Sequence, residues 1–140
     1  MTGVKNIFVA AMCIFLVHCK ESDSLSCDVV KTIVSEAIND KRAEQYYINV
    51  NGQFPAFYIN DSYSCIDSLA FNKFNRLNRV REIDDSTDKR ENAVVITIKK
   101  VDKKSVSIRL EYKQQGIVLN KKYSYNGMGL YLVEDSFGGV

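Results

Sequence analysis

The chain has 140 residues, with 19 basic and 17 acidic side chains, four cysteines, one histidine and no tryptophan. That length suits one domain around a single core. A formal net charge of +2 leaves no electrostatic footprint for nucleic acid and argues against a polybasic membrane clamp.

The chain opens on Met1 to Cys19, with a weakly basic start at Lys5 and an apolar run from Ile7 to Val17. The composition then turns polar at Lys20-Glu21-Ser22-Asp23-Ser24. That order reads as a secretory signal, and the run is too short to cross a bilayer core, which needs roughly 20 apolar residues. Leu16-Val17-His18-Cys19 resembles a bacterial lipobox. In that family the cysteine closes the signal and becomes the lipidated first residue, so the resemblance implies a lipid on Cys19. His18 departs from the family pattern, which has Gly, Ala or Ser at that position. The polar residues after Cys19 resemble the acidic sequences of small surface-exported lipoproteins from Bacteroidetes-type bacteria. The resemblance implies a lipid-anchored protein of the outer membrane, periplasm or cell surface. The alternative is an ordinary cysteine beside a conventional cleavage site and a soluble secreted chain.

On this reading residues 1–19 are the signal, 20–26 a polar tether and 27–140 a single domain. Losing Lys5 leaves 18 basic residues against 17 acidic ones. Losing His18, the one histidine, excludes Ser-His-Asp and Cys-His nucleophile arrangements and every His-containing zinc site. No metal site or cofactor is expected. Cys27 and Cys65 remain as an even pair in a disulfide-permissive compartment, the alternative being two buried thiols.

A first helix is predicted where Val29, Val30, Ile33, Val34, Ala37 and Ile38 form two interleaved i, i+4 series, fading near Glu44. Asn51-Gly52 between Tyr46–Val50 and Gln53–Ile59 predicts a β-hairpin, because a tight hairpin turn needs positive φ. Its aromatic residues (Tyr46, Tyr47, Phe54, Phe57 and Tyr58) read as packing onto the core, with a stacking or sugar-binding platform as the functional alternative. A second helix is predicted from about Cys65 to Arg81. There Ile66, Leu69, Ala70, Phe74, Leu77 and Val80 share one face, and Ser64-x-x-Asp67 resembles a capping box. The acidic stretch from Asp84 to Asn92 reads as a charged loop.

The last third alternates with period two. Its turns set Ile98 opposite Ile108, Ile96 opposite Leu110, Val94 opposite Tyr112, Leu110 opposite Leu119 and Val106 opposite Tyr123. A two-residue turn at Asn126-Gly127 sets Tyr125 opposite Met128, Tyr123 opposite Leu130 and Lys121 opposite Leu132. One face is apolar; the other, with Thr97, Lys99, Ser107, Arg109, Glu111, Asn120, Lys122 and Ser124, is wet.

The predicted fold class is therefore α+β: an N-terminal helix, a β-hairpin, a second helix, then a four-stranded antiparallel meander with the helices packed on one face. That element order resembles the cystatin-like and NTF2-like cone. The resemblance implies a pocket on the concave face, where Lys121, with Tyr112, Tyr123 and Tyr125, would meet an anionic or carbonyl-bearing ligand. The alternative for Lys121 is a strand-end lysine that reaches water over the rings. Three functional expectations follow. The first is a non-catalytic, envelope-anchored binding module whose partner is a protein or small molecule. The second is an NTF2-like ligand-pocket protein or degenerate enzyme, and the third an inhibitor or immunity-type protein.

Overall fold

The structure is a computed structural model that describes residues 25–48, 51–83 and 92–139. The signal, the lipobox and the loop at 84–91 lie outside the described residues. Among the described residues there are one α-helix and eight strands. The α+β expectation with two helices and a four-stranded sheet is corrected: this is a mostly β domain.

Helix α1 spans Cys27–Ile38, and Ser26 caps it, its Oγ accepting from the Val29 N–H at 3.4 Å. Val30, Ile33, Val34, Ala37 and Ile38 are buried, as the i, i+4 pattern requires. The helix stops six residues before Glu44 because Asn39 is engaged elsewhere. Its Nδ2 donates to the Ala70 carbonyl at 3.0 Å, and its Oδ1 accepts from the Asn72 N–H at 2.9 Å. A short 3-10 helix at Glu44–Tyr46 follows.

The Asn51-Gly52 hairpin is also corrected. Gly52 does take a positive φ of 73°, which the missing Cβ permits. However, the residues before it do not form a strand up to Ile48. Tyr47 is pulled inward instead, with 1% exposure, and its ring meets Phe71 edge-on at 4.8 Å. Only β1, Ala56–Asp61, forms, and it pairs in parallel with β5, not with a hairpin partner.

The predicted second helix is two strands, β2 (Ser68–Phe71) and β3 (Arg76–Arg79), paired antiparallel. Asn75, at φ 46°, turns the chain between them, and its N–H donates to the Asn72 carbonyl at 3.3 Å. Asparagine tolerates that left-handed conformation. The start of the would-be helix is taken by Asp61, whose carboxylate accepts from the N–H groups of Tyr63, Cys65 and Ile66 at 2.8, 2.7 and 3.1 Å. Burial then follows period two: Leu69 and Phe71 are inside, while Leu77 is 68% exposed. The element order behind the likeness to a cystatin-like or NTF2-like cone is thus not the order found.

Strands β4 (Arg81–Glu82), β5 (Ala93–Asp102), β6 (Ser105–Tyr112), β7 (Ile117–Tyr125) and β8 (Leu130–Gly139) complete the set. The main sheet runs β4-β1-β5-β6-β7-β8, and β1 is parallel to both β4 and β5. Within it, β5 to β8 pair as an antiparallel meander, and all five register pairs expected between β5, β6 and β7 are present. The β7–β8 register is not the expected one. Tyr125 faces Leu130, Tyr123 faces Leu132 and Lys121 faces Asp135, with an irregularity at Lys122/Tyr123. The expected two-residue turn at Asn126-Gly127 is corrected: the turn runs over 126–129, which shifts the pairing by two places, and Val133 is one further extra residue. A β-bulge of this kind shifts everything beyond it by one place.

Cys27 and Cys65 are joined by a disulfide with a Cα–Cα distance of 5.3 Å. It ties the first turn of α1 to the loop before β2. The helix covers the inner face of the sheet, and its buried residues join Ile96, Ile98, Ile108, Leu110 and Leu119 in one core.

Candidate functional site

The most polar place inside the domain is where the end of α1 meets β7 and β8. Lys121 faces inward from β7 and is only 6% exposed. A buried ammonium needs a charge partner, and the last turn of α1 and the residues just after it supply one. Lys121 Nζ lies 3.1 Å from Asp40 Oδ2 and 4.0 Å from Glu36 Oε1. Asp40 in turn holds Arg42 in a fork, accepting from Nε at 2.9 Å and Nη2 at 2.8 Å. The same Nη2 reaches Asp135 Oδ1 on β8 at 2.7 Å. A β7–β8 turn two residues longer than expected, together with the bulge at Val133, brings Asp135 opposite Lys121, where the expected register would have put Leu132.

The hydrogen bonds of the Arg42 guanidinium hold the Asp40 carboxyl well below the usual carboxylate range, and Lys121 adds to the effect despite burial. Arg42 is fixed as a cation by the same contacts. The arrangement alternates sign: Lys121, Asp40, Arg42, Asp135.

The tyrosines expected beside Lys121 separate. Tyr123 OH donates to Glu36 Oε1 at 3.1 Å, and burial, followed by Glu36, pushes its phenol upward. Tyr112 OH lies 2.9 Å from Tyr47 OH, which itself donates to the Ile38 carbonyl at 2.6 Å. Since Tyr47 uses its proton there, Tyr112 is the donor to Tyr47. Burial raises both phenols. Tyr125 is exposed at the strand end, its OH donating to the Gly127 carbonyl at 3.4 Å. Thus Lys121 and Tyr123 share the cluster, Tyr112 lies deeper in the core, and Tyr125 is outside it.

The aromatic residues expected on a hairpin pack inward. Tyr47, Phe54, Phe57 and Phe71 contact one another with ring centroids 4.8 to 6.0 Å apart. Arg76 covers the Phe54 ring at 4.6 Å.

Comparison with known proteins gives no match to a family model, a curated protein or a solved structure. The functional reading therefore rests on geometry.

Among the described residues, surface grooves of about 370 and 230 Å³ occur. The larger lies at the ends of β1 and β4 and includes Asp61, whose carboxylate already holds the following loop. The smaller runs between α1 and the β2–β3 hairpin. Neither is lined by Lys121 or the three tyrosines. No group of metal-ligating side chains occurs among the described residues.

Sequence reasoning missed Glu36, Asp40, Arg42, Tyr47 and Asp135. One signal was available: a lysine alone on an apolar strand face calls for a carboxylate, and Glu36 and Asp40 stand in the last turn of α1 and two residues beyond its end.

Proposed function

We propose that this protein is an exported, lipid-anchored, non-catalytic binding module of the bacterial cell envelope. The export and anchoring rest on the signal pattern and on Cys19. The binding role is supported by one observation, a polar row across four strands on the sheet face opposite α1. Thr97 pairs with Arg109, Arg109 with Asn120, and Asn120 with Ser136. Hydrogen bonds run along it, from Arg109 Nη1 to Asn120 Oδ1 at 3.5 Å and from Asn120 Nδ2 to Ser136 Oγ at 3.3 Å. A part-exposed polar row of this kind, outside both grooves, suits a macromolecular partner better than a small ligand, which binds in concave sites. The Lys121 pocket is not carried forward, because an anionic ligand would have to displace Asp40 from an ammonium already buried with it.

Site-specific photo-crosslinking in intact cells tests the reading. A crosslinker at Asn120 should capture one partner, and a crosslinker at Leu77 should not. Mass spectrometry of the same membrane fraction should show a diacylglyceryl mass on Cys19. An unmodified, soluble chain would sink the anchoring, and the same capture pattern from both positions would sink the binding face.

A further inference from the structure

The β7–β8 turn places apolar side chains where no described part of the domain covers them. Met128 is 94% exposed, and Tyr125, Tyr131, Leu132 and Val133 are between 39% and 49% exposed. The turn is built to present Met128. Asn126 Oδ1 accepts from the Met128 N–H at 3.0 Å, and Gly127 takes a φ of 86° that favours glycine. Beside it lies the β5–β6 turn, fixed by the Tyr125 N–H donating to the Lys104 carbonyl at 2.8 Å. That turn adds exposed Val101.

Both chemistries needed at a bilayer interface meet here. Lys99, Lys100, Lys103, Lys104 and Lys122 are all at this end of the sheet, against Asp102 and Glu134. Asp102 is engaged by its own turn, accepting from the Lys104 N–H at 2.7 Å. Four of these lysines are neighbours in the sequence at 99–104, and the fold adds Lys122 to them.

We propose that the β5–β6 and β7–β8 turns form a membrane-contacting tip that docks on an anionic bilayer surface, independently of any lipid on Cys19. Two features select a bilayer over a protein partner. The register puts Leu130 and Leu132 on the α1 side of the sheet and Tyr131 on the opposite side, with Met128 at the end. A single flat partner covers one side, whereas an interface immerses both. Also, the edge of β8 is interrupted at Val133 and followed by Glu134 and Asp135, which disfavours strand-to-strand pairing. Tyrosines suit the headgroup layer, and lysines add attraction to anionic lipid.

Every core residue among those described lies between Leu25 and Phe137, so the chain from Lys20 onward keeps the core and lacks Cys19. This chain should float with vesicles containing phosphatidylglycerol and bind phosphatidylcholine vesicles at least about tenfold more weakly. Met128→Glu, and separately the double change Lys100→Glu with Lys104→Glu, should each weaken binding roughly tenfold. Leu77→Ser should leave binding unchanged. Because the chain has no tryptophan, Met128→Trp provides a single reporter whose emission should shift to the blue on binding. Unfolding midpoints matching the unsubstituted chain confirm that the variants fold. Absence of vesicle binding, or binding indifferent to these substitutions, overturns the proposal. A dimer in sedimentation velocity that Met128→Glu abolishes, without vesicle binding, also overturns it and assigns the surface to a second copy of the chain.

Discussion

Asp40 has three partners within hydrogen-bond or ion-pair reach, the Arg42 backbone N–H, the Arg42 guanidinium and Lys121 Nζ. Removing one member of a buried pair costs more than the pair contributes, because a charge is left unpartnered. Asp40→Ala should therefore destabilise the domain by about 3 kcal/mol in urea unfolding. Lys121→Met should cost about 1 kcal/mol or less, since Asp40 keeps Arg42 and the methionine refills the space. The pH dependence has a definite sign. The folded carboxyl is depressed, so its contribution is complete above the unfolded value of about 4 and is lost as pH falls toward the folded one. An acid unfolding series should show a declining limb below about pH 4 that Asp40→Asn flattens; unchanged limbs would exclude Asp40 as its source. Lys121 stood out in the sequence as a break in an apolar face. That it calls for a carboxylate was legible, but not which one, because Glu36 and Asp40 come from the end of α1, far away in the chain.

The segment from Cys65 to Arg81 shows how an element can be misread. Its apolar residues fit a 3.6 period, yet Asn72 and Asn75 mark a turn, and Asn39 from α1 binds the β2 backbone. Those backbone contacts exist only in the folded domain, and they favour strand over helix. The two readings differ in what Leu77 does. As a helix-face residue it would be buried, and Leu77→Ala would cost 2 kcal/mol or more, roughly. In the hairpin it is 68% exposed, so Leu77→Ala should fall within about 0.5 kcal/mol of the unsubstituted domain. Phe71→Ala, at a buried position, should cost about 3 to 5 kcal/mol. Denaturant midpoints for the two variants decide between the readings. By contrast, the β5–β6–β7 registers were legible, because turn length and alternation both had to place one apolar face inward. The same reasoning failed at β8, where the turn runs over 126–129 instead of two residues and Val133 adds one more that alternation does not reveal.

At the scale of the molecule, the Cys27–Cys65 disulfide closes a loop with a sequence separation of 38. It fastens α1 to the loop leading into the small hairpin. Constraint of the unfolded chain by a loop of that length contributes about 3 to 4 kcal/mol. Reduction should lower unfolding stability by that amount, and non-reducing peptide mapping should recover the two cysteines in one linked fragment. Two alkylatable thiols in the native protein would contradict the bond. The sequence by itself determined what residue types and alternation can settle. It showed a chain whose one histidine is His18, a cysteine pair suited to a disulfide, and three strands whose register turn length dictates. Only the tertiary structure decided that β1 pairs in parallel with β5, that residues 68–79 form a hairpin, and that Asp135 faces Lys121. Each of these depends on contacts between residues far apart in the chain, and local periodicity carries no record of such contacts.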